Sequence, residues 1–196
     1  SREKSQKSFS APRWPVRGTV RVESQISCCP GARSAYFTRK EMHIIMADIP
    51  VYLVAGFLDA GKTNFINGIL EDGFARQDPT LLLCCEEGEE EYEKNALDNV
   101  TVITIEDEED LKCSYLKELE KEYHPKQVLI EYNGMWQMER LYREVLPANW
   151  VLYQIMTFVY APTFEMYAKN MGQLMTEKIT NADMLVFNRC TPELRD

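Results

Sequence analysis

Residues 51–70 read VYLVAGFLDAGKTNFINGIL, and the eight at the centre, GFLDAGKT, decide the fold. They fit G-x-x-x-x-G-K-[ST], with Gly56, Gly61, Lys62 and Thr63 at the fixed positions. A polyphosphate has to be wrapped by backbone N–H groups, which Cβ atoms would push away, so glycine stands at either end of the wrap. In that arrangement Lys62 reaches the β and γ phosphates and the Thr63 hydroxyl ligates Mg²⁺. The N-terminus of the following helix adds a partial positive charge. Asp59, Ala60 and Asn64 fall in the same loop and the first helical turn and complete the expected nucleotide contacts. The flanks agree: residues 50–55 form a short apolar run suited to a buried parallel strand, and Phe65, Ile66, Ile69 and Leu70 recur at helical spacing. An ordinary glycine turn would need neither flank.

Outward from the loop, the chain alternates. Further apolar runs lie at 80–85, 100–105, 127–132, 152–160 and 184–188, and residues 109–123, 136–145 and 164–179 read as amphipathic helices. Asp107 and Thr163 are candidate N-caps. Such alternation predicts an α/β fold, a mostly parallel sheet with helices on both faces, of the P-loop nucleotide hydrolase architecture. No repeat of 20–50 residues is visible.

Composition bounds the function. The 196 residues are 45% hydrophobic with a net charge of −9, enough for one domain with a substantial core. No apolar run approaches the ~18 residues of a membrane span. The six cysteines, four of them in the adjacent pairs Cys28-Cys29 and Cys84-Cys85, do not have the spacing of a disulfide framework, which favours a reducing, cytoplasmic setting. Residues 1–46 carry nine Lys/Arg against three Asp/Glu, whereas residues 47–196 carry 13 against 28. So acidic a body argues against nucleic acid as the main partner. Residues 1–45, rich in Ser, Arg and Pro without sustained period, are expected to hold little stable fold. They read as a disordered segment or as an extension foreign to a domain that begins at Met42 or Met46. A transit peptide or a basic arm are the functional alternatives.

A phosphate loop needs an acidic residue at the end of another strand to organise Mg²⁺ and the attacking water. QVLIEYNG supplies it: Glu131 follows an apolar run, and Gly134 stands three residues on, where its N–H can sense a γ-phosphate.

With GFLDAGKT, CEEGEE, EYNG and ADMLVFNRC on the page, the chain resembles the nucleotide-binding domain of the CobW-type GTPases, relatives of the urease and hydrogenase nickel-insertion GTPases. The resemblance covers roughly residues 47–190. It implies Mg²⁺-dependent GTP hydrolysis and delivery of a transition metal such as zinc or cobalt to a client metalloprotein. Under it Lys62 and Glu131 are the catalytic pair, and Gly56, Gly61, Thr63 and Gly134 contact nucleotide and Mg²⁺. Glu86 and Glu89 match the acidic segment of the mobile switch, and Asn188 matches the first residue of the guanine-reading N-K-x-D. Three departures matter. Asp59 stands where the family usually has glycine, which puts a carboxylate beside the phosphates unless it points outward. Arg189 can replace lysine, since its stem can lie along the base. Thr191 cannot replace the aspartate, whose two oxygens accept guanine's two donors, so a shallow preference for GTP over ATP is expected. The family's C-x-C-C thiolates have no match. Cys84 and Cys85, with Glu86 and Glu89, are the candidate transition-metal ligands in their place. Both sulfurs can share an ion only if the strand ends at Cys84, because successive strand side chains point to opposite faces. The other reading is a buried cysteine beside a solvated acidic loop. His43 and His124 read as surface residues. After FNRC only TPELRD remains, so the further strand, helix and C-terminal domain expected of such a protein lie outside this sequence.

Two other functions fit the loop. A small-molecule kinase would want an arginine-rich lid, which the motif-bearing stretches lack. A nucleotide-responsive interaction module with little turnover would accommodate Asp59 and Thr191. The oligomeric state, the metal and the client are not legible in the sequence.

Overall fold

The computed structural model describes residues 48–86, 92 and 99–190. The extension at 1–45, Glu89 and Thr191 lie outside the described residues. Six strands form one sheet: β1 (Ile49–Gly56), β2 (Thr80–Cys84), β3 (Val100–Thr104), β4 (Gln127–Glu131), β5 (Trp150–Tyr160) and β6 (Met184–Asn188), in the order β3-β2-β4-β1-β5-β6. Every pairing is parallel. The apolar runs therefore became the strands, with boundaries shifted by one or two residues.

A period of two sorts the strand residues between two cores. Val51, Leu53, Leu81, Leu83, Val128 and Ile130 join one cluster, while Val54, Leu82 and Leu129 join the other. The second cluster receives α1 (Lys62–Glu71), which buries Ile66 and Leu70 four residues apart. The first receives α2 (Cys113–Tyr123) through Leu116 and Leu119, and a helical stretch whose opening turn is α3 (Met138–Arg140). That stretch continues as a π turn, Leu141–Val145, closed by Leu146 N–H donating to Leu141 O at 3.1 Å. The wider turn keeps both Leu141 and Val145 buried ahead of Pro147.

Two helical expectations need correction. The helix expected from residue 109 begins at Cys113, its N-cap is Lys112, and Asp107 caps nothing there. Asp107 instead accepts from Asp110 N–H through its carbonyl in a turn. The single helix expected over 164–179 is two: α4 (Phe164–Asn170) and α5 (Gly172–Thr180). They break at Met171, between Asn170 and Gly172, both poor helix formers. The break lets α5 bury Met175 and Lys178 while α4 stacks Tyr167 on Phe57, ring centroids 4.4 Å apart. Thr163 does precede α4, but its hydroxyl donates back to Tyr160 O instead of capping the helix.

Among the described residues no helix is long and apolar enough to cross a membrane.

Candidate phosphate-binding site

β2 and β4 end at one level, two residues before the end of β1. Glu131 on β4 stands opposite Val54 of β1 and Cys84 of β2. Beyond those rungs, Tyr132 N–H donates to Val54 O and Cys85 N–H to Glu131 O, each at 2.9 Å. The crevice at the carboxyl ends of parallel strands is where α/β sheets bind ligands.

The loop leaving β1 is set by its glycines. Gly56 has φ +141°, and a Cβ there would sit 2.3 Å from Phe158 O of β5. Gly61 has φ +89°, and its Cβ would meet Asn188 Nδ2 at 2.4 Å. Asp59 also adopts a left-handed conformation, φ 59°, one that aspartate tolerates better than most residues and that glycine adopts without cost. Its side chain is exposed at the pocket wall. Ala60 is buried beneath, and its carbonyl accepts from Asn188 Nδ2 at 3.1 Å. The β6 residue thus holds the loop from below.

Lys62 is 2% exposed. Its ammonium donates to Phe57 O at 2.8 Å and pairs with Glu86 Oε2 at 2.5 Å. Thr63 Oγ1 donates to Glu131 Oε1 at 2.7 Å. The other carboxylate oxygen of Glu131 accepts from the Tyr92 hydroxyl, and Cys84 Sγ lies 3.7 Å from it. Burial, then the Glu131 charge, pushes the Tyr92 phenol up, which keeps it a proton donor to that carboxylate. Asp59, Gly61, Lys62, Thr63, Asn64, Glu86, Glu131 and Arg189 line one pocket of ≈ 330 Å³, together with Leu58 and Tyr160. Gly134 lies beside it, against the backbone of Gly56 and Phe57, and its N–H faces Glu86 Oε1 at 3.4 Å.

Tyr92 and Tyr160 are additions that pattern reading missed. Tyr92 is the one aromatic residue within the acidic run EEGEEEYE. Tyr160 ends β5, and the Arg189 guanidinium lies 5.8 Å from its ring centroid. Arg189 has φ 55°, with its N–H donating to Asn188 Oδ1 at 2.9 Å.

The cysteine pair divides. β2 ends at Cys84, as a shared ion would require, yet Cys85 is 1% exposed inside the apolar cluster with Leu83, and burial pushes its thiol up strongly. Cys84 turns toward Glu131 and lies 3.2 Å from Glu86 O; burial raises its thiol too. Among the described residues no three His, Cys, Asp or Glu side chains gather as a metal site. His124 is exposed and closes α2 with φ 47°.

No curated protein matches the chain. A family model does: CobW/HypB/UreG, nucleotide-binding domain, matches residues 50–191, a span that takes in every strand but the first residue of β1. A glycine-bounded loop between β1 and α1, an acidic residue at the end of the adjacent strand, and that match together place the chain in the CobW/HypB/UreG family of P-loop nucleotide-binding domains.

Proposed function

We propose that the chain is a Mg²⁺-dependent GTP-binding protein that hydrolyses its nucleotide and uses the two states to pass zinc or cobalt to a client metalloprotein in the cytoplasm. The observation that carries this reading is the buried Lys62 ammonium set beside the Thr63–Glu131 oxygen pair at the mouth of the loop. The dry ammonium and the N-terminus of α1 both favour an anion, a place that Glu86 fills in the absence of phosphate. The Thr63 hydroxyl and Glu131 carboxylate, 2.7 Å apart, are hard oxygen donors of the kind Mg²⁺ takes, and the ion would supply neutralisation of phosphate charge.

Each residue then has a role. Lys62 holds the terminal phosphates. Glu131, fixed by Tyr92, orients water near the Thr63 hydroxyl. Asn188 braces the loop through Ala60, and Arg189 with Tyr160 flanks the base. Gly134 offers its N–H toward the γ-phosphate position. The metal-delivery step is supported by family membership, with Cys84, Glu86 and Glu89 the residues to examine first.

Replacing Lys62 with alanine removes charge-assisted hydrogen bonds, each roughly twice as strong as a neutral one. Triphosphate affinity measured by calorimetry should fall at least about tenfold. Unchanged affinity would sink the nucleotide reading. Single-turnover hydrolysis with and without Zn²⁺ then separates a metal-linked GTPase from a module with little turnover.

A further inference from the structure

The Glu86 carboxylate uses each oxygen for one donor: Oε2 takes the Lys62 ammonium at 2.5 Å and Oε1 faces Gly134 N–H at 3.4 Å. These two donors sit on separate strand ends, β1's loop and β4's exit; in the phosphate reading Lys62 serves the β and γ phosphates and Gly134 N–H the γ-phosphate alone. We infer that Glu86 is an internal stand-in for the γ-phosphate, and that it sets discrimination between nucleoside triphosphate and diphosphate. The inference rests on the nucleotide reading proposed above.

The physical argument starts from Lys62, which is 2% exposed while Glu86 is 11% exposed. An ammonium this dry needs an anion in every state of the protein. Without nucleotide Glu86 is that anion. A terminal phosphate arriving at the same two donors would put two anions on one cation, and the flexible carboxylate has to withdraw. A diphosphate reaches Lys62 through its β-phosphate but ends short of Gly134 N–H, so Glu86 keeps that donor and its place beside the ammonium. Glu86 therefore opposes triphosphate binding more than diphosphate binding.

The test uses the full chain in Mg²⁺ buffer. Fluorescent GDP and a fluorescent, slowly hydrolysed GTP analogue are titrated into wild type, Glu86→Gln and Glu86→Ala, with urea midpoints confirming that both variants fold. Both variants should bind the triphosphate roughly tenfold tighter, the scale of one charge-assisted hydrogen bond, while GDP affinity stays within about twofold. Equal tightening for both nucleotides would overturn the inference, because Glu86 would then oppose phosphate in general. Weaker triphosphate binding would overturn it too, assigning Glu86 to holding Mg²⁺ or substrate. If no form of the protein binds either nucleotide, the inference falls together with the reading beneath it.

Discussion

Replacing Gly134 with alanine would push a methyl group into backbone that cannot step aside. The added Cβ would lie 2.6 Å from Gly56 O and 2.7 Å from Phe57 Cα. Ordinary contact begins near 3.4 Å, so one of the two chain segments has to move by about 0.8 Å. The strain is one of packing, since Gly134 does not occupy the left-handed region reserved for glycine. Overpacking against rigid neighbours costs about 1–3 kcal/mol, and two backbone contacts argue for the upper half of that range. The functional effect should be larger than the structural one. Phe57 O is a partner of the Lys62 ammonium, so moving Phe57 moves the lysine. A misplacement near 1 Å costs on the order of a hundredfold in a positioned reaction. Gly134→Ala should therefore lower the urea midpoint by an amount equal to about 2–3 kcal/mol, and single-turnover hydrolysis by roughly a hundredfold. A variant with parental midpoint and parental turnover would show that the β4 exit is not clamped on the phosphate loop.

How much of this was legible beforehand follows from distance along the chain. The loop, its strand and its helix are contiguous, so GFLDAGKT announces itself. Glu131 and Gly134 were legible as a second motif, but the reason Gly134 is glycine was not, because that reason is contact with Gly56 and Phe57, some 77 residues upstream. The Lys62–Glu86 pair was invisible for the same cause. Both residues were singled out, yet only the strand order, with β4 between β1 and β2, sets their strands two apart and lets the carboxylate lean across. Tyr92 and Lys178 carry no local signal at all: one is an aromatic residue in an acidic run, the other a lysine in a helix pattern. The cysteine pair was half legible. Strand ending at Cys84 was the stated condition for sharing an ion, and it holds, but burial claimed Cys85 for the core, where an apolar pocket disfavours the thiolate that metal binding needs.

Two further perturbations probe the helices that support the site. Gly68, within α1, has open space where a Cβ would go, so Gly68→Ala should stabilise the fold by about 0.5–1 kcal/mol with nucleotide affinity unchanged; a lower urea midpoint would mean that something covers this face of α1. Lys178 on α5 tests whether a second buried ammonium is held dry behind the site. It is 1% exposed, donates to Trp136 O at 3.0 Å, and lies 5.8 Å from the Tyr132 ring centroid. Burial pushes it down from 10.5 to about 8; the Lys62 charge adds to the drop, while Glu177, Glu86 and Glu108 oppose it. Between those two values the unfolded chain keeps the proton that the folded chain has released, so unfolding takes protons up and stability rises with pH across that window. The gap is equivalent to about 3 kcal/mol, present in full as a cost below pH 8 and gone by about pH 10.5. In Lys178→Met this cost disappears at every pH, while the lost bond to Trp136 O is a constant. The stability of the variant relative to wild type, from urea unfolding at pH 7 and pH 10, should therefore fall by about 2.5 kcal/mol as the pH is raised, most of the gap. A difference that stays flat over this range would show that Lys178 keeps its proton throughout and is better solvated than its burial implies.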